Sequence, residues 1–477
     1  MIHSRLGTAL IACGLVFVLA ASIGAQQVVE TRIVETKKPS AADAIIEAGT
    51  KDNQVQAHLD YLTNRIGPRL TGSEGLQAGC EWARDEFKKM GLKNCRLEKW
   101  GEFPVGFERG PSTGRMLEPK TMNLSFGTNA WTSGTKGRVV GFVVIAPETA
   151  EAAKEQKEKM KGAYVFLKRP SRRSREAFTK YRELKAALAE FEPAGFVSST
   201  SDERILTGGN YRVDPKNLPT IPEINLLKKQ FDEIIKLVAD GEKVKLGFDI
   251  RNHFRKGPVP LYNVIAEIPG TEKPEECVIV GGHIDSWDGA TGATDNAAGC
   301  ATAMEAARIL MAAGVKPKRT IRFMLWSGEE QGLLGSLAYV KQNPKEMKNI
   351  SAVLVHDGGT NYCAGILTPK SMKEDFESVF GPAMKLNPEQ MPFELTEVPT
   401  LRARGGSDHV SFIRAGVPGF FWRQKGRAVY RTTHHTQYDT YETIVPEYQK
   451  HSSIVIALGA FGIADLDHML SREHVNK

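Results

Sequence analysis

Apolar positions in the C-terminal half of the chain follow two alternating rhythms. Short runs rich in β-branched and aromatic residues recur at Tyr262–Ile268, Cys277–Val280, Thr320–Trp326 and Ser351–Val355. Each reads as a strand buried on both faces. Between them lie stretches with helical spacing, Ala297–Ala313 and the segment from about Gln331. A further strand–loop–helix step at 417–424 and a long amphipathic helix near 446–468 complete the series. Strands alternating with helices predict an α/β fold, a doubly wound and mostly parallel sheet with helices on both faces.

The N-terminal half carries a different pattern. Residues 55–92 show helical periodicity on both sides of the loop Gly67–Ser73, and 95–125 mixes short β-like runs with Gly and Pro. Composition shifts near 130. Strand-like runs at Gly137–Ile145, Gly162–Leu167, Ala194–Val197 and Val244–Ile250 alternate with a charged helix over Glu148–Met160 and another over Leu226–Ala239. This predicts a smaller α/β insert, free of any cluster of catalytic residue types, with the role of a lid or docking module. The expected organisation is a signal peptide over 1–25, a polar leader over 26–50, a catalytic layer over 51–128 and 253–470, and the insert at 129–252.

The first residues change the cellular picture. His3 and Arg5 precede an apolar run from Leu6 to Ala21 that ends in small residues before Gln26. That is the form of a secretory signal, too short for a convincing membrane span. A secreted or periplasmic protein is expected, with lipoprotein anchoring at Cys13 ranked second. At 477 residues, with 41% hydrophobic and 25% charged positions, the rest can bury a sizeable core. The net charge of +7 comes from 63 basic residues interleaved with 56 acidic ones. Lys168–Arg175 is the one dense basic cluster, and it lacks the interleaved aromatics of a nucleic-acid surface. Six scattered cysteines exclude a disulfide scaffold and admit one bridge, Cys80–Cys95.

Chemistry gathers where the strands end. His283 and Asp285 follow the run at Cys277, and Asp295 and Asn296 precede the next helix. Glu329 and Glu330 follow Thr320–Trp326; His356 and Asp357 follow Ser351–Val355; His434 and His435 lie in a polar loop downstream. Any one of these is equally an ordinary loop residue or helix cap. Four loops delivering His, Asp or Glu to strand ends point to one site. Two histidines with several carboxylates and no cysteine suit paired divalent ions, zinc first. Adjacent carboxylates at a strand end face different ways, so one can bind metal while the other serves as a base. The chemistry indicated is metal-assisted amide hydrolysis.

The segments GGHIDS, TDNAAG, SGEEQGLLGS, HDGG and HHTQYDT, in that order, resemble the co-catalytic di-zinc exopeptidases, the family of bacterial zinc aminopeptidases and carboxypeptidase Q. The resemblance spans about 55–125 and 255–470, and 130–250 is similar to that family's protease-associated insert. It implies two zinc ions, with His283 and Glu330 as terminal ligands and Asp295 as the bridge. Asp357 would join the zinc of His283, and His435 that of Glu330. Glu329 would be the general base and Asp285 the partner orienting His283, with a cis peptide before Asn296. Many members place Tyr before the last histidine to stabilise the oxyanion; here His434 stands there. Ser407-Asp408-His409 is kept, but Gly406 replaces an arginine that some members present to the substrate, leaving Arg402 or Arg404 to compensate. The implied substrate is a dipeptide or the terminal residue of a short peptide, with aminopeptidase or dipeptidase action ahead of carboxypeptidase action. A single-zinc acyltransferase of the glutaminyl cyclase type and an inactive binding homologue are the rival readings. No nucleic-acid partner is expected, and a homodimer is left open.

Overall fold

A computed structural model describes residues 40–170 and 174–476. The expected signal peptide, Cys13 and residues 26–39 of the leader lie outside the described residues. In the described part of that leader, Ala41–Lys51 is a helix closed by a Ser40–Asp43 capping box, with Ile45 buried. The polar sequence of this segment hid one apolar stripe, enough to dock a short helix.

The catalytic layer is the sheet that the strand runs predict. Gly419–Phe421, Ile350–Val355, Lys273–His283 and Arg319–Trp326 lie side by side in that order, all parallel. Lys245–Ile268 adds antiparallel to Arg319–Trp326. Both faces are covered, and alternate residues divide between two cores as the pleat requires. Val278, Val280, Phe323, Leu325 and Leu354 pack toward the helices Ala298–Ala312 and Pro446–Ala464. Ile279, Met324, Trp326, Val353 and Val355 pack toward Tyr339 and Phe412 on the other side. Each such side chain, fully removed from water, contributes roughly 1.5–3 kcal/mol. This two-sided burial explains runs that are continuously apolar rather than alternating.

The insert differs from expectation in how it is joined. Lys93–Glu118 and Lys245–Ile268 are two long antiparallel strands paired as one ribbon, and the second runs straight through the expected boundary at 252/253. Gly257, Pro258 and Pro260 suggest a break, yet the chain stays extended there. The partner strand absorbs the irregularity with a register shift between Phe103 and Val105. Beyond the ribbon, Val139–Ile145, Tyr164–Phe166, Gly195–Ser199 and Glu223–Leu226 form a parallel set, with Phe126–Thr128 antiparallel at its end. The charged helix expected over Glu148–Met160 is two short ones, and Arg175–Ala189 is a helix the pattern did not announce. Cys80, Cys95, Cys277, Cys300 and Cys363 are free, so the admitted bridge is absent; Cys95 Sγ faces the carbonyls of Leu92 and Lys93. Among the described residues no helix is long and apolar enough to cross a membrane.

Candidate metal centre

His283 is the last residue of its strand and is buried. Its Nδ1 lies 2.9 Å from the carbonyl of Asp285. A carbonyl can only accept, so Nδ1 carries the hydrogen and Nε2 is aimed the other way. Nε2 is 3.2 Å from Asp357 Oδ1 and 3.3 Å from Asp295 Oδ1. On the opposite side of Asp295, Oδ2 is 3.3 Å from His435 Nε2, which is itself 2.9 Å from Glu330 Oε2. All five ligand candidates therefore converge, and Asp295 stands between the two histidines. A tetrahedral ion with ligands near 2.0 Å has donor–donor edges of about 3.3 Å, close to the spacings found here. Asp295 Oδ2 and Glu330 Oε1 are buried and accept no hydrogen bond among the described residues. Buried carboxylate oxygens of this kind call for a cation. The donor set of imidazole and carboxylate without thiolate fits zinc.

Each donor is placed by its backbone. Asp295 precedes the helix Ala298–Ala312, and its peptide bond to Asn296 is cis. Asn296 donates to the carbonyl of His356 at 2.8 Å and accepts from Gly299 N at 3.0 Å, tying this helix to the end of Ile350–Val355. The approach is so close that a Cβ at Gly299 would sit 2.1 Å from the His356 carbonyl oxygen. Glu329 and Glu330 follow Gly328, whose φ of +74° suits glycine. They do diverge: Glu330 faces His435, and Glu329 forms no ion pair among the described residues. His435 adopts φ +54° in the loop after Tyr430–Thr433. His434 stacks on His435 with ring centroids 3.9 Å apart and is half exposed. His356 points elsewhere, into a hydrogen bond with Gln424, and burial lowers its pKa to about 4.

The charges are strongly coupled. Burial alone would suppress the His283 imidazolium, but Asp357 and Glu329 outweigh it and raise its pKa well above the usual range. His435 is likewise opposed by burial yet lifted to about 10 by Asp295 and Glu330. Burial, reinforced by the charge on Asp295, raises Glu330 to about 8. Glu329 is raised well above the usual carboxyl range, first by burial and then by Asp357, Asp408 and Glu330, with His283 opposing.

Other residues support these candidates, and of them Thr71, Asp439, Arg69 and Tyr430 are not singled out by the sequence. The Asp285 carboxylate sits 3.6 Å from His283 Nδ1, but its hydrogen bonds come from elsewhere. It accepts from Glu329 N and Glu330 N at 3.2 Å each and from Thr71 Oγ1 at 2.9 Å. Asp439 accepts from Thr294 N, Thr294 Oγ1 and Asp295 N, fixing the turn that carries Asp295. Arg69 is fully buried and donates to the carbonyls of Leu62, Gly67, Ile284, Thr291 and Gly292, stapling the loop between His283 and Asp295. Tyr430 lies against Gly359 with its ring 5.0 Å from that of His434, and its pKa is raised by burial and by Asp295 and Asp357. Its spacing of four from His434 on a helical turn is a signal that could have revealed it. Asp408 is buried with both oxygens free of hydrogen bonds among the described residues, and burial raises it to about 7. Arg402 and Arg404 are exposed, and Arg402 donates to Thr400 Oγ1 at 3.4 Å.

The chain and its fold are similar to proteins of known type. The model of peptidase family M28 matches residues 263–459. Carboxypeptidase Q of Bos taurus is 28% identical over 431 residues, covering 89% of this chain and 88% of its own. A peptidase M28 precursor from Shewanella amazonensis superposes with a TM-score of 0.65 at 25% identity, covering 90% of this chain and 97% of that one. A zinc aminopeptidase from Bacillus subtilis shares the fold at 18% identity, with a TM-score of 0.57 over 88% of this chain and 97% of that one. Residues 263–459 are thus similar to peptidase family M28, the type of the co-catalytic zinc exopeptidases, and the chain is a zinc metallopeptidase.

Proposed function

We propose that the chain binds two zinc ions and hydrolyses dipeptides or releases terminal residues from short peptides, with aminopeptidase or dipeptidase action favoured. The observation that carries this is the pair of donor sets sharing Asp295: His283 and Asp357 on one side, Glu330 and His435 on the other. Zinc bound there supplies Lewis-acid polarisation of the scissile carbonyl and lowers the pKa of water. Glu329 is the general base: it takes a proton from the attacking water and delivers it to the leaving nitrogen. A buried carboxylate beside other carboxylates holds a proton more firmly than a solvated one, which suits that shuttle. Asp285 keeps Glu329 and Glu330 in register through their backbone N–H groups, and its carbonyl fixes the His283 ring. His434, half exposed beside Asp295, is the donor for the substrate oxyanion. Residues 129–252 act as the protease-associated insert.

A carboxypeptidase Q type of action is the second reading, favoured by the extent of similarity to that enzyme. Amino-acid release from matched free and N-acetylated dipeptides, with and without a zinc chelator, decides between them. Chelator-sensitive cleavage of the free set alone supports aminopeptidase or dipeptidase action. Cleavage of the acetylated set supports a carboxypeptidase, and cleavage of neither refutes peptidase action on short peptides. Metal analysis giving one zinc per chain would instead favour the single-zinc acyltransferase.

A further inference from the structure

The insert does not stop at its own core. From it the segment Arg204–Gly209 reaches the loop that carries His435. Thr207 N donates to the His435 carbonyl at 2.9 Å, and Gln437 N donates to the Ile205 carbonyl at 3.1 Å. The side chain of Gln437 accepts from Ile205 N at 2.7 Å, and Leu206 forms an antiparallel bridge with Thr436. Arg204 adds a hydrogen bond to the Arg431 carbonyl at 2.8 Å. The segment's far end is fixed too, because Ala130 N donates to the Gly208 carbonyl.

Alternation along this short added strand sends Leu206 outward, where it is 46% exposed, and Thr207 inward. Thr207 and Trp287 line the same small cavity as Asp295, Glu330 and His435, with a volume of about 10 Å³. The wall is tight. A Cβ at Gly289 would lie 2.1 Å from the Thr207 methyl carbon. Trp287 packs edge-on against both His435 and Trp131, whose centroids are 6.2 and 6.5 Å away. A threonine methyl and an indole therefore border three metal-ligand candidates with no charged group of their own.

We propose that Arg204–Gly209 is a substrate-facing wall supplied by the insert, and that Thr207 with Trp287 sets the size of the apolar side chain accepted beside the scissile bond. This rests on the peptidase reading above. It assigns the insert a specificity role in the same chain's active site, in place of lid or docking functions. An apolar pocket discriminates by roughly 10- to 200-fold per methylene-sized change.

The test compares kcat/KM of the zinc-loaded full chain for Ala-Ala and Phe-Phe dipeptides. Thr207→Ala keeps the backbone N–H that holds His435 but opens the wall, and Gly289→Ala crowds it. Thr207→Ala is expected to shift the ratio about 10-fold toward Phe-Phe, mainly through KM, with zinc content and thermal midpoint unchanged. Gly289→Ala should shift it toward Ala-Ala. A ratio unchanged in both active variants, or two substrates falling in parallel, overturns the proposal. A wild-type chain that cleaves neither dipeptide overturns the dipeptidase reading and this inference with it. Loss of zinc from Thr207→Ala would make Thr207 a positioning residue for His435 and overturn the specificity role.

Discussion

Arg69 is the single side chain whose loss should reach furthest, and its replacement by lysine isolates why. The guanidinium is fully buried and donates to five carbonyls, from Leu62, Gly67, Ile284, Thr291 and Gly292. Lysine keeps the charge but has three donors at one point, so at least two carbonyls lose their partner. Each buried polar group left unsatisfied costs about 1–3 kcal/mol, giving roughly 2–6 kcal/mol for Arg69→Lys. Three of the five carbonyls lie between His283 and Asp295, so the cost falls on the loop joining two ligand candidates. Urea unfolding with and without zinc measures the stability change, and a competition titration with a chromophoric chelator measures zinc affinity. The expected result is a clear drop in the unfolding midpoint together with weaker zinc binding. A midpoint within experimental error of wild type would refute the assignment of Arg69 as the staple of this loop. A lower midpoint with unchanged zinc affinity would limit its role to the fold.

Glu329→Gln should keep its zinc and lose at least 100-fold in kcat, the scale of a general base; near-normal turnover measured in the metal-replete variant would exclude Glu329. His435→Ala should leave about half the zinc of wild type by elemental analysis, whereas full metal content would make His434 the ligand. His434→Ala should lower kcat with KM and zinc little changed, and if Tyr430→Phe does so instead, the phenol is the oxyanion donor. A pH prediction follows from Glu305, which is buried between His58 and Arg308. Burial opposes its charge, but His58 at 3.6 Å and the hydrogen bonds from Arg308 outweigh it and lower the folded pKa. A depressed carboxyl pKa adds stability above the unfolded value, near 4.5, that is lost as pH falls through the folded one. The gap in urea midpoint between wild type and Glu305→Gln should therefore narrow from pH 6 toward pH 3; a constant gap would count against this ion pair.

What could be read from sequence was whatever leaves a local trace. Strands buried on both faces announce themselves as unbroken apolar runs, and their ends locate His283, Glu329, Glu330 and Asp357 without further help. The ribbon Lys93–Glu118 with Lys245–Ile268 was hidden because Gly and Pro mark breaks in a single strand, whereas pairing over its full length keeps the chain extended. Arg69 and Asp439 were hidden for another reason. Their partners are mainly backbone groups, most of them far away in the chain, as with the 215 residues between Arg69 and Ile284. A hydrogen bond to a carbonyl depends on no side chain at the accepting end, so it writes nothing into the sequence there. The same holds for Arg204–Gly209, which meets the His435 loop mostly through main-chain N–H and C=O groups. Ligand candidates are therefore legible by type and position, while the groups that aim them emerge only once the backbone is placed. Mutational surveys limited to the sequence motifs would thus miss the residues that decide how tightly the site is held, and Arg69→Lys tests that claim directly.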